Sequence, residues 1–358
     1  QQNYEIFYSS HDGALLRHDM GTVYLEVFPR GKTGEYTIPD EVNVIRDKVF
    51  YYSKISKLIV GNGVTEVMRN SFYNCAALQE IVFKGEGTIS LRINAEAFYR
   101  TTNLTSLHLP ARLAEMDLQM LNQFTKLTTI EVEAGGAIYS SVDNMICDAA
   151  GTAILYAPMG ISGEYEIPKG IREIGPMAFA DRPNLTKVIV PGYVNAIGES
   201  AFLDCTGVTE VVIEGSRNYD LLIDAMAFSG CDNVTSVTFR GNGTGTADTG
   251  VTTIGTSAFE NVKQLRTVVF ESGANVAIGD RAFATNEKLY TVTYADGSVI
   301  SSIGAEAYAG CVQLTEAIIP ATTQSVGNGA FSGCEGILNV TFQPDGQNVS
   351  FGSNIFEG

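Results

Sequence analysis

From residue 45 onward, one arrangement of apolar positions recurs along the chain. An aromatic residue stands at Phe50, Phe72, Phe98, Phe179, Phe202, Phe228, Phe259, Phe283, Tyr308, Phe331 and Phe356, and Leu121 takes the same place once. Five residues before each of these anchors the side chain is apolar in all twelve cases, from Ile45 and Val67 to Val326 and Phe351. Most anchors follow one another at 22 to 26 residues; the exceptions are intervals of 31 after Phe228 and 58 after Leu121. A fixed period in the twenties predicts a solenoid, in which each coil buries its apolar face only against its neighbours.

Each anchor is followed by a second pattern, L-x-x-[VIL]-x-[VIF], as in Leu104/Leu107/Leu109, Leu185/Val188/Val190 and Leu265/Val268/Phe270. Its last two apolar positions are separated by one residue, the alternation of a strand with one side chain inward and the next outward. Stacking the coils pairs these strands into a parallel sheet with a spacing of about 4.8 Å. A shorter extended stretch, such as "GIREIG" at 170–175, leads back to the next anchor. The five residues between anchor and strand leave room for one tight helical turn.

"IGESAFLDCTGVTEVVI" (197–213) and "IREIGPMAFADRPNLTKVIVP" (171–191) make the pattern specific. This unit resembles the BspA-like class of bacterial leucine-rich repeats over about residues 40–134 and 169–358. The resemblance implies an α/β or mainly-β leucine-rich repeat solenoid with one long parallel sheet. The 58-residue interval has its own explanation. Residues 139–168 align with residues 8–39, sharing Tyr-Ser-Ser, Gly-Thr, Pro and Gly-Glu-Tyr-x-Ile-Pro. Both copies read as β-hairpin modules, the first with strands Ala14–Arg17 and Val23–Phe28 around an "HDMG" turn. The expected organisation is a single elongated repeat domain over 1–358. It comprises an N-terminal hairpin cap (1–39), repeats (40–134), an inserted hairpin module (135–168) and further repeats (169–358), the last one incomplete.

Composition narrows the partners. Hydrophobic residues at 45% and charged residues at 18% describe a folded chain. A net charge of −17 disfavours nucleic acid and anionic membrane surfaces, which select clustered Lys and Arg. No apolar run is long enough to span a bilayer. The chain begins Gln1-Gln2-Asn3, and together with the acidity and the repeat class this points to an exported protein whose leader has been removed, anchored through a lipid or free.

Five of the six cysteines, Cys75, Cys205, Cys231, Cys311 and Cys334, stand three residues after an anchor. Other coils put Ser53, Thr101, Arg182, Val262 or Asn286 there, so the position reads as a buried slot for small residues in which free cysteine acts as a small hydrophobe. Bridges between Cys205 and Cys231 or Cys311 and Cys334 are the alternative. Zinc is disfavoured by the lack of C-x-x-C and by only three histidines. His11 and His18 fall beside acidic residues in the cap; His108 occupies an outward strand position next to Glu131 of the following coil. The glycine-rich "GNGTGTADTG" (241–250) lacks the G-K-[ST] of a phosphate loop and reads as a protruding loop. No cofactor or metal is expected, and no carboxylate pair is singled out for glycoside hydrolysis.

The remaining surface is the outward face of the sheet. One row carries Lys187, Glu210 and Ser236, and the next carries Ile189, Val212 and Thr238. These six residues, with His108 and Glu131, form the candidate binding face, Ile189 and Val212 giving it an apolar centre open to solvent. The expected function is noncatalytic recognition by a monomeric surface or secreted protein that binds an extracellular protein or glycan. The resemblance implies the same, because BspA-like proteins are associated with adhesion to host matrix proteins and to other cells. The alternatives are a glycan-binding or glycan-degrading accessory protein and a structural spacer. Sugar binding calls for exposed aromatic platforms, and this chain has no Trp; Tyr290 is a candidate on the strand face.

Overall fold

The computed structural model describes residues 6–216, 218–241, 250–343 and 348–358. The backbone forms about 14 turns of a nearly all-β solenoid with little helix. It divides into two compact units: residues up to Gly151 with Tyr156–Ile161, and Thr152–Leu155 with Ser162–Gly358.

In the first unit the cap is a three-stranded antiparallel meander, Phe7–His11, Ala14–Asp19 and Thr22–Val27. Its turns Asp12-Gly13 and Met20-Gly21 have positive φ at both residues, as tight hairpins with right-handed strand twist require. The third strand pairs in parallel with Val44–Ile45, so the meander covers the end of a ladder of short strands that continues to Leu113–Met116. The main ladder runs from Thr33–Thr37 through Lys54–Val60, Glu80–Phe83 and Ser106–Leu109 to Thr129–Val132, every step parallel. The second hairpin pairs Tyr139–Val142 with Met145–Asp148 around Asp143-Asn144.

The second unit repeats the plan. Its main ladder joins Gly163–Glu166, Leu185–Val190, Glu210–Glu214, Ser236–Arg240, Thr267–Phe270 and Thr291–Tyr294, and Glu316–Ile319 pairs separately with Asn339–Phe342. The short return stretches, expected as extended segments leading to the next anchor, pair in parallel from Glu173–Ile174 to Ser350–Phe351, and Ala153–Tyr156 joins the same sheet beside Glu173–Ile174. The "IG" glycine of the repeat lies against this sheet: a Cβ on Gly304 would come within 2.4 Å of the Gly279 carbonyl carbon.

The anchors fill the interior between these ladders. Phe202, Phe228 and Phe259 stack face to face with centroids 4.9 and 4.7 Å apart, and the stack continues through Phe283, Tyr308 and Phe331 to Phe356. Phe50, Phe72 and Phe98 form the corresponding stack of the first unit. Where Leu121 replaces the aromatic, a 3-10 helix over Leu118–Gln123 buries Leu121 and brings Phe124 edge-on to Phe98, so the interior stays filled.

The anchor turns carry a third backbone ladder that the apolar pattern does not announce. The N–H groups of Ser200, Phe202 and Asp204 donate to the carbonyls of Ala225, Ala227 and Ser229 in the next coil, at 3.1, 2.8 and 2.9 Å. Arg281, Phe283 and Thr285 do the same to Ala305, Ala307 and Ala309. Aiming alternate N–H groups at the following coil takes a left-handed residue two positions before and two after the anchor, such as Ser200 and Asp204 (φ 55° and 56°). Asn, Asp and Gly tolerate that conformation best, which explains Asn74, Asp181, Asp204, Gly230, Asn261 and Gly310 after their anchors.

The position three residues after the anchor differs from the small apolar slot expected. Where it is cysteine, threonine or asparagine its side chain donates a hydrogen bond, whereas Val262 fills it with a purely apolar group. Cys205 Sγ reaches the carbonyl of Phe179 (2.9 Å), Cys231 that of Phe202 (3.1 Å) and Cys311 that of Phe283 (3.2 Å). Thr101 donates to the Phe72 carbonyl, and Asn286 Nδ2 to that of Phe259 at 2.9 Å. Cysteine, threonine and asparagine interchange because each satisfies an anchor carbonyl of the preceding coil. Arg182 is also fully buried at this position, so small volume is not the selecting property. All six cysteines are free and buried, and burial pushes the Cys75 thiol up to about 12 and the Cys147 thiol to about 11. Thiolate chemistry is correspondingly suppressed at those two residues.

Phe202→Ala removes a ring stacked on both sides and is expected to cost about 3–5 kcal/mol. Because each coil is held by its neighbours, hydrogen exchange should accelerate first at the Phe179, Phe202 and Phe228 turns. Unchanged exchange at those amides in the variant would contradict the stacking.

Candidate functional site

Strand alternation places the candidate face as expected. Lys187, Glu210 and Ser236 are successive register partners, as are Ile189, Val212 and Thr238. The first row extends backward to Glu164, which pairs with Lys187 in register. Lys187 Nζ lies 3.9 Å from Glu164 and 3.4 Å from Glu210, between two carboxylates. The first unit builds the same group from Glu35, Lys57 and Glu80, with separations of 3.7 and 3.3 Å. Such partly exposed pairs contribute about 0–1 kcal/mol each, so their recurrence owes little to stability.

Val212 departs from expectation. It alternates outward yet is 0% exposed, while Ile189 is half-buried. The four positions around Val212 are filled: Ile189 and Thr238 on the flanking strands, and Glu210 and Glu214 on its own, drawn toward Lys187 and Arg240. A short β-branched side chain between long paired ones has no path to solvent. The apolar centre is therefore Ile189 alone, set in a charged surround.

Past Val212 the face continues into a groove that the strand pattern does not reveal. Glu166, Tyr193, Glu214, Tyr219, Arg240 and Glu271 line an open cleft of about 690 Å³. Arg240 sits 3.8 Å from both Glu214 and Glu271, and the Arg172 guanidinium lies 5.5 Å over the exposed Tyr219 ring. Tyr219 and Glu271 come from connections rather than strands, where the periodicity carries no information. The expected loop at 241–250 lies, for residues 242–249, outside the described residues.

In the first unit, His108 and Glu131 are register partners, and His108 Nδ1 lies 2.9 Å from Glu131 Oε2. Nε2 of the same ring is 3.0 Å from Ser106 Oγ, a contact that attention to His108 and Glu131 alone misses. Serine, imidazole and carboxylate thus stand in the order of a nucleophilic relay. The surroundings oppose that chemistry. Acyl transfer needs N–H donors aimed at a developing oxyanion, whereas the Ser106 N–H is bonded to the Gln79 carbonyl and the strand is paired on both sides. Glu80, whose carboxylate pairs with Lys57 at 3.3 Å, is the register partner of Ser106 on the preceding strand. His11 and His18 remain in the cap, His18 stacked on Phe7 and bonded to Ser9 Oγ at 2.8 Å.

The repeat is also found by comparison. The family model described as "BspA type Leucine rich repeat region" matches six copies, over residues 22–142, 162–246 and 223–358. The chain belongs to that family. Similar solved structures include a leucine-rich repeat protein from Eubacterium ventriosum, 16% identical, covering 91% of this chain and 94% of the other with a TM-score of 0.53. A leucine-rich repeat protein from Bacteroides ovatus is 19% identical over 99% of this chain and 91% of its own, with a TM-score of 0.45. A leucine rich cell surface protein from Faecalibacterium prausnitzii is 17% identical over 95% and 96%, with a TM-score of 0.36. No curated protein sequence matches. In this BspA-type protein, no helix among the described residues is long and apolar enough to cross a membrane.

The burial of Val212 separates two substitutions that strand alternation alone treats alike. Val212→Asp forces an unpaired carboxylate into a site without water and is expected to lower unfolding free energy by at least about 3 kcal/mol. Thr238→Asp, on the same outward row and partly exposed, should change it by less than about 1 kcal/mol. Denaturant melts of the two variants measure the difference.

Proposed function

We propose that this BspA-type protein is a noncatalytic recognition module of the cell surface or secreted space, and that its partner lies across the outward sheet face of the second unit. The observation that carries this reading is the register of that face. Glu164, Lys187 and Glu210 repeat in space what Glu35, Lys57 and Glu80 do in the other unit, a charged arrangement that both copies keep although it adds little to stability. Beside it lie Ile189, the hydroxyls of Ser236, Thr238 and Thr267, and the cleft with Tyr193 and Tyr219. Each coil offers two or three outward side chains, so a ligand must bridge several coils to gather enough contact. An extracellular protein suits this mixture of hydroxyl, paired charge and one aliphatic centre, since charged groups set orientation and the buried centre supplies affinity. The fold carries no function by itself, and the reading rests on these residues.

A panel of extracellular matrix proteins and glycans provides the test. Ser236→Arg, Thr238→Arg and Thr267→Arg together leave the interior untouched and should abolish binding to any protein the native chain captures; full retention by the triple variant would exclude this face. The Ser106–His108–Glu131 group is expected to be a positioning network without hydrolytic activity. A fluorophosphonate probe should leave Ser106 unlabelled, and ester hydrolysis should be equal for the native chain and Ser106→Ala. Stoichiometric labelling of Ser106 would overturn the noncatalytic reading.

A further inference from the structure

A second surface, on the anchor turns of the first unit, carries an arrangement that the coil does not require. Tyr51, Tyr73 and Tyr99 each follow an anchor by one residue, and the structure sets them in a row. Tyr51 stacks on Tyr73 at 5.0 Å, and Tyr73 meets Tyr99 at 5.7 Å. Tyr52 packs edge-on to Tyr51 at 4.3 Å. Two guanidinium groups lie on this strip. Arg30 sits 5.0 Å over Tyr51, and Arg100 lies 5.8 and 5.6 Å over Tyr73 and Tyr99 and donates to the Tyr73 hydroxyl at 3.1 Å. Tyr52 and Tyr99 remain 46% and 48% exposed, so ring surface is left for a ligand.

The second unit supplies the internal comparison. On the same backbone turns it places Ala180, Leu203 and Ser229 where the first has Tyr51, Tyr73 and Tyr99. Stacked coils therefore form without the tyrosines. Two of the strip residues also oppose local preference. Tyr52 (φ 57°) and Arg100 (φ 63°) occupy the left-handed position after the anchor, where Thr285 is the one other exception and the remaining coils put asparagine, aspartate or glycine, as at Asn74, Asp181, Asp204 and Gly230. A bulky side chain held there is strained, and such strain concentrates where a residue serves something other than the fold. Charge supplies a third observation. In a chain with 40 acidic and 23 basic residues, neither Arg30 nor Arg100 makes an ion pair among the described residues, whereas the nearby Glu96 is held by Arg69 at 2.5 Å.

We propose that this tyrosine–arginine strip is a binding site for an acidic glycan, whose sugar rings lie against the tyrosines and whose carboxylates meet Arg30 and Arg100. Aromatic faces take up the C–H faces of pyranose rings, and unpaired guanidinium groups bind carboxylates as charge-assisted pairs. Like groups repeating once per coil match a polymer of like units better than an irregular peptide. The site is separate from the sheet face and stands or falls without it.

The test uses the full chain with an oligogalacturonate as the probe, a neutral malto-oligosaccharide, and polyglutamate at matched carboxylate concentration. Oligogalacturonate should bind by calorimetry, and the other two should not. Arg100→Gly and Tyr99→Ala should each weaken binding about tenfold, the loss of one charge-assisted or stacking contact. Tyr52→Asn should weaken it as well while leaving the thermal midpoint equal to or above that of the native chain, because asparagine relieves the left-handed strain. The sheet-face triple variant should bind oligogalacturonate normally. Failure of oligogalacturonate to bind, equal binding of polyglutamate, loss of binding in the sheet-face variant, or a lowered midpoint for Tyr52→Asn would each overturn the proposal.

Discussion

The spacing between successive coils governs the rest of the molecule. Three ladders of backbone hydrogen bonds run through each unit, one along the long strands, one along the short return strands and one through the anchor turns. A parallel ladder has one spacing, and stacked aromatic rings prefer nearly the same one. Anchor centroids 4.7 to 5.5 Å apart in the second unit show both requirements met at once. Other residue choices follow from this. Left-handed residues flank Phe50, Phe72 and every anchor from Phe179 onward so that their turns can join the third ladder; Ala201, Ala227 and Ala282 precede their anchors in full burial; and cysteine, threonine or asparagine donates to the anchor carbonyl of the coil before.

Because those demands fall on inward and turn positions, the outward residues are free to vary without loss of the fold. That freedom gives the duplicated halves of the chain their interpretive value. Where both copies keep an arrangement, as with Glu35–Lys57–Glu80 and Glu164–Lys187–Glu210, a common use of the face is the economical explanation. Where one copy departs, as with Tyr51, Tyr73 and Tyr99 against Ala180, Leu203 and Ser229, the fold itself is shown to be indifferent. The Ser106–His108–Glu131 relay illustrates the converse. A regular sheet readily brings three polar residues into line, but it also consumes the strand N–H groups that would stabilise an oxyanion.

Much of the architecture was legible before any coordinates. Anchor spacing fixed the coil, alternation fixed the strand register, and the pairing of Lys187 with Glu210 or His108 with Glu131 follows from counting residues between anchors. The free, buried state of the five in-register cysteines also followed from their position. Their role did not: a periodic pattern shows that a side chain is inside, and only the neighbouring coil shows that it faces a carbonyl.

The sequence by itself thus determined which residues turn inward and which coils adjoin, because burial in a repeat is set locally and recurs with the period. The tertiary structure decided what depends on neighbours at the surface. Val212 is enclosed because Ile189, Thr238, Glu210 and Glu214 crowd it, not because its strand position is inward. Tyr219 and Glu271 meet in the cleft because connections of different coils come together in space, and Arg30 reaches the Tyr51 ring in the same way, although Tyr51, Tyr73 and Tyr99 themselves share one place in the repeat. No period along the chain encodes those meetings; they arise only when consecutive coils are stacked at the distance their hydrogen bonds impose.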